Sequence, residues 1–523
     1  MRARSLSALL IVLCCLAALC VRTAVLSLRL TETAAAQPRT RTLLVGTTRG
    51  KIYARDGSLL VDRTDRLKAA VSPCGETKAL LERTLGTEAA QEEMMTRAPL
   101  LLDVDEAVSG ENVRTFSVPR RYAPDDLAVH LVGTLDAQGT GATGVERAYD
   151  ALLTEKGGSL SVRFFANAQG QVLAGLDKEV IDRGFNSRAG VALTIDPNAQ
   201  RIVEDALQSS RIQSGCAVLL DTGTGEIRAL ASVPGFDRND LTSAPDGAQR
   251  NKALGAYAPG SVMKPLLAAF ALEQGVSKNK HFTCRGQITV GDTTFRCYGG
   301  KAHGRQTMGE ALQNSCNVYF IRLLQTLDAV DYLQFLRSLG LGEGVSLCEN
   351  LRSEAGTLSP LAALQSPGQC ALLAFGQGQL LVSPLQLLQA YHVLATGELV
   401  HPTVLYSTVN EQGTVITAPK QPSARLLSEE TVAILRKLLT QKAGVSRAFT
   451  PAFAVAGKTG TAQSGVFQSG SEVCRTWFCG FFPAGNPHYV LVILNEDGTT
   501  GSADCAPVCK EICERLVGYA ADS

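Results

Sequence analysis

A short apolar segment that carries one serine and one lysine constrains this chain more than any other stretch. Residues 258–267 read APGSVMKPLL. A Pro-Gly turn precedes Ser261, and the helix formers that follow predict a buried helix beginning at that serine. Ser261 and Lys264 are three residues apart, so they share one face of such a helix and their side chains can meet.

The Ser261 and Lys264 pair suits covalent catalysis. A serine hydroxyl is a weak nucleophile at neutral pH and needs a base within hydrogen-bond distance. Burial lowers the pKa of a lysine, because desolvation disfavours the charged amine, and the neutral amine is a base. The positive end of a helix disfavours the cation further and stabilises a developing oxyanion. Taken alone, however, the pattern is more typical of a capping serine and a solvated lysine.

Two further motifs support the catalytic interpretation. Ser315-Cys316-Asn317 follows the first motif, and Lys458-Thr459-Gly460-Thr461 comes later, before an apolar strand pattern. The order Ser-x-x-Lys, Ser-x-Asn, Lys-Thr-Gly is the signature of serine acyl transferases that recognise penicillin. The chain therefore resembles the penicillin-binding proteins, and among them the class B D,D-transpeptidases.

Composition argues against several other functions. Of the 523 residues, 45% are hydrophobic and 19% are charged, so a large core is expected and global disorder is not. A formal net charge of +1 provides no basic field for nucleic acid. There is no Gly-x-x-x-x-Gly-Lys-Ser/Thr phosphate loop, and none of the six histidines lies in a His-Glu-x-x-His zinc motif. We expect no nucleic-acid partner and see no requirement for a metal or an organic cofactor.

Cysteine is abundant, with 15 residues. Cys284 and Cys297 flank a predicted hairpin and are the pair that we would join by a disulfide, since an exported domain permits one. Cys505, Cys509 and Cys513 recur every four residues and share one helix face. Such a row is more typical of small core side chains than of a metal site.

The N-terminus predicts export. Residues 6–21 carry no charge, and the apolar pattern resumes after Arg22 and Thr23 as far as Leu28. A membrane span needs roughly 20 apolar residues, so residues 6–28 suffice if Arg22 extends towards the outer interface. The alternative is a cleaved signal peptide, for which Ala34-Ala35-Ala36 offers small residues. We favour an uncleaved single-pass anchor in the cell membrane, and both alternatives place the catalytic domain on the extracytoplasmic side.

The resemblance divides the chain into three parts. Residues 1–28 form a cytoplasmic start and a transmembrane anchor, residues 29–190 a stalk and an N-terminal pedestal module similar to the dimerisation module of penicillin-binding proteins, and residues 191–523 the transpeptidase domain. Strand patterns lie at both ends of the last part with helical segments between them, which favours an α+β fold. The resemblance implies that its sheet is antiparallel and flanked by helices.

The resemblance also implies a two-step acyl transfer through Ser261. Its hydroxyl attacks the carbonyl between the last two D-alanines of a peptidoglycan stem peptide, and neutral Lys264 takes the proton. The terminal D-alanine leaves, and an amine of a neighbouring stem peptide then attacks the acyl-enzyme to form a crosslink. Ser315 is expected to relay the proton to the leaving nitrogen, and Asn317 to hold the amide backbone of the substrate.

The third motif is expected to bind the substrate. Lys458, with the hydroxyls of Thr459 and Thr461, would hold the terminal carboxylate, and its charge would help to keep the catalytic lysine neutral. The backbone N–H groups of Ser261 and Thr461 would form the oxyanion hole. Gly460 would let the strand approach the substrate where a side chain would block it.

β-Lactam antibiotics mimic the D-Ala-D-Ala terminus and should acylate Ser261. The Glu-x-x-Leu-Asn segment that activates the deacylating water in class A β-lactamases does not occur between Asn317 and Lys458, so the adduct should be long-lived. No stretch ahead of residue 190 resembles a glycosyltransferase, which favours a monofunctional enzyme. The resemblance to class B proteins implies a multi-spanning glycan polymerase as its partner. The alternatives are a D,D-carboxypeptidase or endopeptidase, in which water replaces the amine, and a catalytically idle scaffold or β-lactam sensor.

Overall fold

The chain folds into two compact units that alternate along the sequence. The computed structural model describes residues 11–26, 39–167, 171–173, 178–417, 423–440, 454–468 and 471–522. The first unit comprises segments within residues 1–49, 64–120 and 157–187. The second comprises residues 50–63, 121–156 and 188–523.

The first unit contains two antiparallel sheets. With labels numbered along the whole chain, its elements are α1 (residues 11–26), β1 (Arg39–Thr47), β3 (Thr64–Val71), α2 (Lys78–Leu85), α3 (Thr87–Thr96), β4 (Leu100–Val104), β5 (Ser109–Gly110), β6 (Val113–Arg120), β7 (Ser159–Ala166) and β8 (Glu179–Arg183). One sheet has the order β1-β7-β8 and the other β4-β3-β6-β5. Val45, Val118 and Phe164 belong to a core cluster of this unit.

Helix α1 is the described part of the anchor that the sequence predicts over residues 6–28. No helix among the described residues has both the length and the apolar character needed to cross a membrane. The predicted anchor extends beyond helix α1 at both ends and stays a prediction. The alternative cleavage site at residues 34–36 lies outside the described residues.

The second unit is built on a five-stranded antiparallel sheet, as the resemblance implied. Its longer strands are β10 (Gly215–Asp221), β11 (Ile227–Val233), β22 (Ala456–Gln468), β23 (Ser471–Phe482) and β24 (Tyr489–Gly498). They lie in the order β11-β10-β24-β23-β22, and each neighbouring pair is antiparallel. Strand β22 is therefore an edge strand of this sheet.

Helices cover both faces of this sheet. The helices of the second unit are α4 (Val129–Val132), α5 (Gly144–Ala148), α6 (Asp150–Glu155), α7 (Pro197–Gln208), α8 (Lys264–Glu273), α9 (Met308–Gln313), α10 (Asn317–Leu324), α11 (Ala329–Ser338), α12 (Pro367–Leu373), α13 (Pro384–Thr396), α14 (Glu429–Thr440) and α15 (Gly501–Asp522). Side chains alternate between the faces of a strand. In β10, Val218 joins the core shared with α8 and α13, whereas Leu219 joins the core shared with α7 and α15. The α+β prediction is confirmed.

Short strands complete the second unit. They are β2 (Lys51–Tyr53), β9 (Gly190–Leu193), β12 (Phe282–Cys284), β13 (Gln287–Val290), β14 (Thr293–Arg296), β15 (Gly304–Gln306), β16 (Ser346–Cys348), β17 (Leu351–Arg352), β18 (Glu398–Leu399), β19 (Leu405–Val409), β20 (Val415–Thr417) and β21 (Ala424–Arg425). Strand β2 pairs in parallel with β9, with Lys51 opposite Gly190. This pairing explains why residues 50–63 belong to the second unit although they precede much of the first.

Candidate active site

Ser261 and Lys264 meet as the sequence predicted, but on a different local structure. Ser261 lies in a single 3-10 turn, Gly260–Met263, and helix α8 begins only at Lys264. Pro265 occupies the first turn of α8, the part of an α-helix that tolerates proline. Side chains three residues apart eclipse one another in a 3-10 turn. Lys264 Nζ accordingly lies 2.9 Å from Ser261 Oγ.

Two buried aromatic side chains hold this turn through their polar atoms. The Tyr391 hydroxyl in α13 donates to the Val262 carbonyl at 2.9 Å. The Trp477 indole in β23 donates to the Ala258 carbonyl at 3.0 Å. No motif marks either residue, and the only signal in the sequence is that a buried tyrosine or tryptophan usually finds a hydrogen-bond partner.

Gly376 supports the same turn through its backbone. The Gly260 N–H donates to the Gly376 carbonyl at 2.9 Å. Gly376 has a φ of 78°, and an added Cβ would lie 2.1 Å from the Gly260 carbonyl oxygen. The backbone of the Ser261 turn would have to move to accommodate any side chain at this position.

We expect Gly376→Ala to lower both thermal stability and the rate of acylation by penicillin. A left-handed alanine costs about 1–2 kcal/mol, and the overlap with the turn adds about 1–3 kcal/mol. Gly275→Ala is the matched control, because Gly275 has a φ of 77° but would place its Cβ in open space. Thermal unfolding and fluorescent-penicillin labelling measure the two effects. Equal losses in both variants would contradict the supporting role of Gly376.

Ser315 reaches the site from the junction between α9 and α10. Its φ of 49° is left-handed, which is uncommon for a residue other than glycine. The Cys316 N–H donates to the Ala311 carbonyl at 2.9 Å, a helix-ending pattern that usually places glycine where Ser315 stands. In this conformation Ser315 Oγ lies 3.0 Å from Ser261 Oγ and 3.1 Å from Lys264 Nζ.

The hydrogen bonds of Lys264 suit a neutral amine. Nζ lies 2.7 Å from the Ser315 carbonyl oxygen and 2.7 Å from Asn317 Oδ1, both of which can only accept. A neutral amine gives one hydrogen to each and turns its lone pair to the Ser261 hydroxyl. Burial lowers the pKa of Lys264 well below its ordinary value, and the nearby charge of Lys458 lowers it further, in agreement with the sequence analysis.

Asn317 contacts protein groups at both ends of its side chain. Its Nδ2 donates to the Arg296 carbonyl at 2.9 Å, which turns Oδ1 towards Lys264. The sequence analysis expected this side chain to hold the substrate amide. In the structure the amide group bridges the catalytic amine and the backbone next to β14, and its expected contact with the substrate stays a prediction.

The Lys-Thr-Gly motif lies on the edge strand β22. Lys458 is buried, and its Nζ donates to the Thr459 carbonyl at 2.8 Å. Burial lowers the pKa of Lys458 to about 8, so the side chain remains mostly protonated at neutral pH. The motif therefore brings a positive charge beside the catalytic pair, although its residues follow that pair by almost two hundred positions in the sequence.

Gly460 packs closely against the Ser261 turn. An added Cβ would lie 2.9 Å from Val262 Cγ1 and 3.1 Å from the Pro259 carbonyl oxygen. The missing side chain thus leaves room for this turn, and the clearance that it would give to a substrate stays a prediction. Next to it, the Thr461 hydroxyl accepts the Gly501 N–H at 3.3 Å, and this bond ties β22 to the start of α15.

Comparisons with known proteins give a family match and several relatives. Residues 215–514 match the family described as "Penicillin binding protein transpeptidase domain", which is more than half of the chain. The penicillin-binding protein PbpB of Mycolicibacterium smegmatis is 30% identical over 427 residues, covering 76% of this chain and 64% of the relative. The peptidoglycan D,D-transpeptidase FtsI of Escherichia coli K12 is 27% identical over 399 residues, covering 73% and 63%.

A solved structure shares the fold. Penicillin binding protein 3 of Mycobacterium tuberculosis, complexed with ampicillin, superposes with a TM-score of 0.67 at 24% identity, covering 92% of this chain and 96% of that one. This chain spans slightly less than two thirds of the length of the two curated relatives, at 64% and 63%. The family match over residues 215–514, together with the three motifs that meet around Ser261, shows that the chain belongs to the penicillin-binding protein transpeptidase family.

Proposed function

We propose that this chain is a monofunctional serine D,D-transpeptidase that crosslinks peptidoglycan stem peptides through an acyl-enzyme on Ser261. One observation carries the proposal: the buried amine of Lys264 faces two acceptors at 2.7 Å and the Ser261 hydroxyl at 2.9 Å. This geometry leaves a base directed at a nucleophile. A relative named as a peptidoglycan D,D-transpeptidase supports the choice of substrate.

The first step forms the acyl-enzyme. Ser261 Oγ attacks the penultimate D-alanine carbonyl as Lys264 takes its proton. Ser315 Oγ lies within hydrogen-bond distance of both groups and relays this proton to the leaving nitrogen, so that D-alanine departs as a neutral amine. In the second step, the acceptor amine attacks the ester, loses a proton along the same route, and returns the hydroxyl to Ser261.

The third motif binds the substrate in this proposal. Lys458 supplies the positive charge for the terminal carboxylate, and the hydroxyls of Thr459 and Thr461 donate to it. The N–H groups of Ser261 and Thr461 hold the oxyanion, for which one donor is typically worth about 3 kcal/mol of barrier. β-Lactams use the same contacts and acylate Ser261.

The proposal includes the location and partner of the enzyme. Residues 1–28 anchor the chain in the cell membrane by a single span, residues 29–190 form the stalk and pedestal module, and residues 191–523 catalyse the reaction outside the cytoplasm. The uncharged run in residues 6–21 supports the anchor. A multi-spanning glycan polymerase supplies the strands that are crosslinked, and co-purification from intact membranes tests that partnership.

An acyl-exchange assay tests the activity. The full-length chain in detergent is incubated with a synthetic stem pentapeptide ending in D-Ala-D-Ala and a fluorescent D-amino acid as the acceptor, and products are identified by mass spectrometry. We expect the exchange product together with released D-alanine. A tetrapeptide alone would indicate a carboxypeptidase instead. Folded protein that forms neither product and takes up no penicillin would support the idle scaffold.

A further inference from the structure

Three cysteines and one histidine converge beside the second motif. Their ligand atoms all lie within 4.8 Å of one another. The four residues come from the end of β12, the end of the β13–β14 hairpin, the loop before β15 and the junction between α9 and α10; they are Cys284, Cys297, His303 and Cys316. We call this group the thiol–imidazole cluster. Its three thiols are buried and its imidazole is half-buried.

Three of the distances in the cluster are close to those between ligands of one tetrahedral metal ion. Cys297 Sγ lies 3.7 Å from Cys284 Sγ and 3.8 Å from Cys316 Sγ. Cys284 Sγ lies 3.4 Å from His303 Nδ1. Zinc bonds of about 2.3 Å to sulfur and about 2.0–2.1 Å to nitrogen, at tetrahedral angles, separate two sulfurs by about 3.8 Å and sulfur from nitrogen by about 3.6 Å.

The disulfide suggested by the sequence is not what the structure contains. Cys284 and Cys297 are separate thiols at 3.7 Å. Cysteines that serve only as core side chains do not need an imidazole among them, as the Cys509 and Cys513 contact in α15 illustrates. The imidazole of His303 is therefore the feature that distinguishes this cluster from ordinary packing.

Backbone N–H groups are directed at the sulfurs. The Gly286 N–H donates to Cys284 Sγ at 3.3 Å, and the Tyr319 N–H donates to Cys316 Sγ at 3.3 Å. Hydrogen bonds of this kind stabilise metal-bound thiolates and fix the orientation of the ligands. Gly286 lies two residues after Cys284 in a turn. Cys316 is the N-cap residue of α10, and its sulfur accepts the Tyr319 N–H of that helix.

We propose that the thiol–imidazole cluster binds one zinc ion. Thiolate and imidazole ligands in a tetrahedron suit zinc, and four protein ligands leave no open position for catalysis, so the ion is structural. It joins β12, the β13–β14 hairpin and the loop before β15 to the start of α10.

Zinc at this position would also order the active site, an inference that rests on the proposed function. Cys316 lies between Ser315 and Asn317, and Cys297 follows Arg296, whose carbonyl accepts the Asn317 amide at 2.9 Å. The ion thus ties both catalytic side chains of the second motif to the β13–β14 hairpin. It opposes relaxation of Ser315 from its left-handed conformation.

Metal content is the direct test of zinc binding. The full-length chain is purified under reducing conditions with zinc supplied during expression, and its metals are measured by plasma mass spectrometry. We expect about one zinc per chain, with X-ray absorption giving three sulfurs at about 2.3 Å and one nitrogen at about 2.0–2.1 Å.

Two cysteine variants locate the metal. Cys297→Ser should lose it, whereas Cys370→Ser, which removes a thiol outside the cluster, should keep it. Folded protein without zinc, or a Cys284–Cys297 disulfide in the intact mass, would overturn the proposal.

Chelation of the wild-type chain covers the case in which Cys297→Ser does not fold. Removing zinc should lower the thermal midpoint and reduce penicillin acylation about 10–100-fold, and zinc but not magnesium should restore both. Ser261→Ala should retain zinc although it cannot be acylated. Failure of acylation in a zinc-loaded wild type would therefore count against the proposed function alone, whereas an unchanged midpoint after zinc removal would count against a structural ion.

Discussion

Replacing Lys264 with alanine is expected to slow the acylation of Ser261 by penicillin about 10²–10⁴-fold, the usual contribution of a positioned general base. The amine is buried and lies 2.9 Å from the nucleophile. Its two acceptors, the Ser315 carbonyl and Asn317 Oδ1, direct its lone pair to that nucleophile. The rate is measured by stopped-flow or gel labelling with a fluorescent penicillin, and intact mass confirms the adduct.

Three further variants test this role. Lys264→Arg places a permanent cation where the structure favours a neutral amine and cannot accept a proton at neutral pH, so it should be as slow as the alanine variant. Lys278→Ala, which removes an exposed lysine, should acylate at the wild-type rate. Ser261→Ala should give no adduct at all. Rapid acylation of Lys264→Arg, in protein that unfolds at the wild-type temperature, would refute the role of Lys264 as the base.

The largest loss of stability is expected for Asp126→Ala, which should lower the free energy of unfolding by about 3–5 kcal/mol. The Asp126 carboxylate is 0% exposed and pairs with the Arg238 guanidinium, which is 2% exposed. It also accepts from Arg63 at 3.3 Å and from the Ala123 N–H at 2.9 Å. Removing the carboxylate leaves the arginine charge buried without its partner, although the ring of Tyr122 still lies 4.0 Å beneath it.

The neighbouring residue is a matched control for this prediction. Asp125 pairs with Arg63 at 2.9 Å but is 64% exposed, so Asp125→Ala should leave the unfolding transition almost unchanged. The double variant Asp126→Ala with Arg238→Met removes both buried charges and should recover much of the loss. Urea denaturation of the full-length chain is measured for the wild type, Asp125→Ala, Asp126→Ala, Arg238→Met and the double variant. A double variant as unstable as the sum of its parts would show that charge burial is not the cause.

Local sequence patterns determined the elements that carry the catalytic groups. Asp before Pro is a local pattern that predicts a helix start, and the Asp196 carboxylate accepts the Asn198 and Ala199 N–H groups at the start of α7. The spacing of Ser261 and Lys264 predicted their contact, because side chains three residues apart face each other in either kind of helix. These predictions succeeded because they depend on interactions within one turn.

Relations between distant segments were harder to predict. The sequence analysis did not foresee that Asn317 Oδ1 lies 2.7 Å from Lys264 Nζ or that Gly460 packs against Val262. Tyr391 and Trp477 belong to none of the three motifs. Each stabilises the Ser261 turn by one hydrogen bond to a backbone carbonyl that is far away in the sequence. A side chain's partner across the fold depends on packing, which residue spacing does not encode.

The sequence by itself thus determined the family, the α+β class of the second unit and the identity of the residues that meet around Ser261. Only the tertiary structure decided the hydrogen-bond partners of Lys264, the 3-10 turn that contains Ser261 and the convergence of the thiol–imidazole cluster. The physical reason is the range of the interactions. A helix cap and a contact between side chains three residues apart are local. A buried amine, or a group of side chains spaced to bind one metal ion, exists only when segments separated along the chain pack at fixed distances.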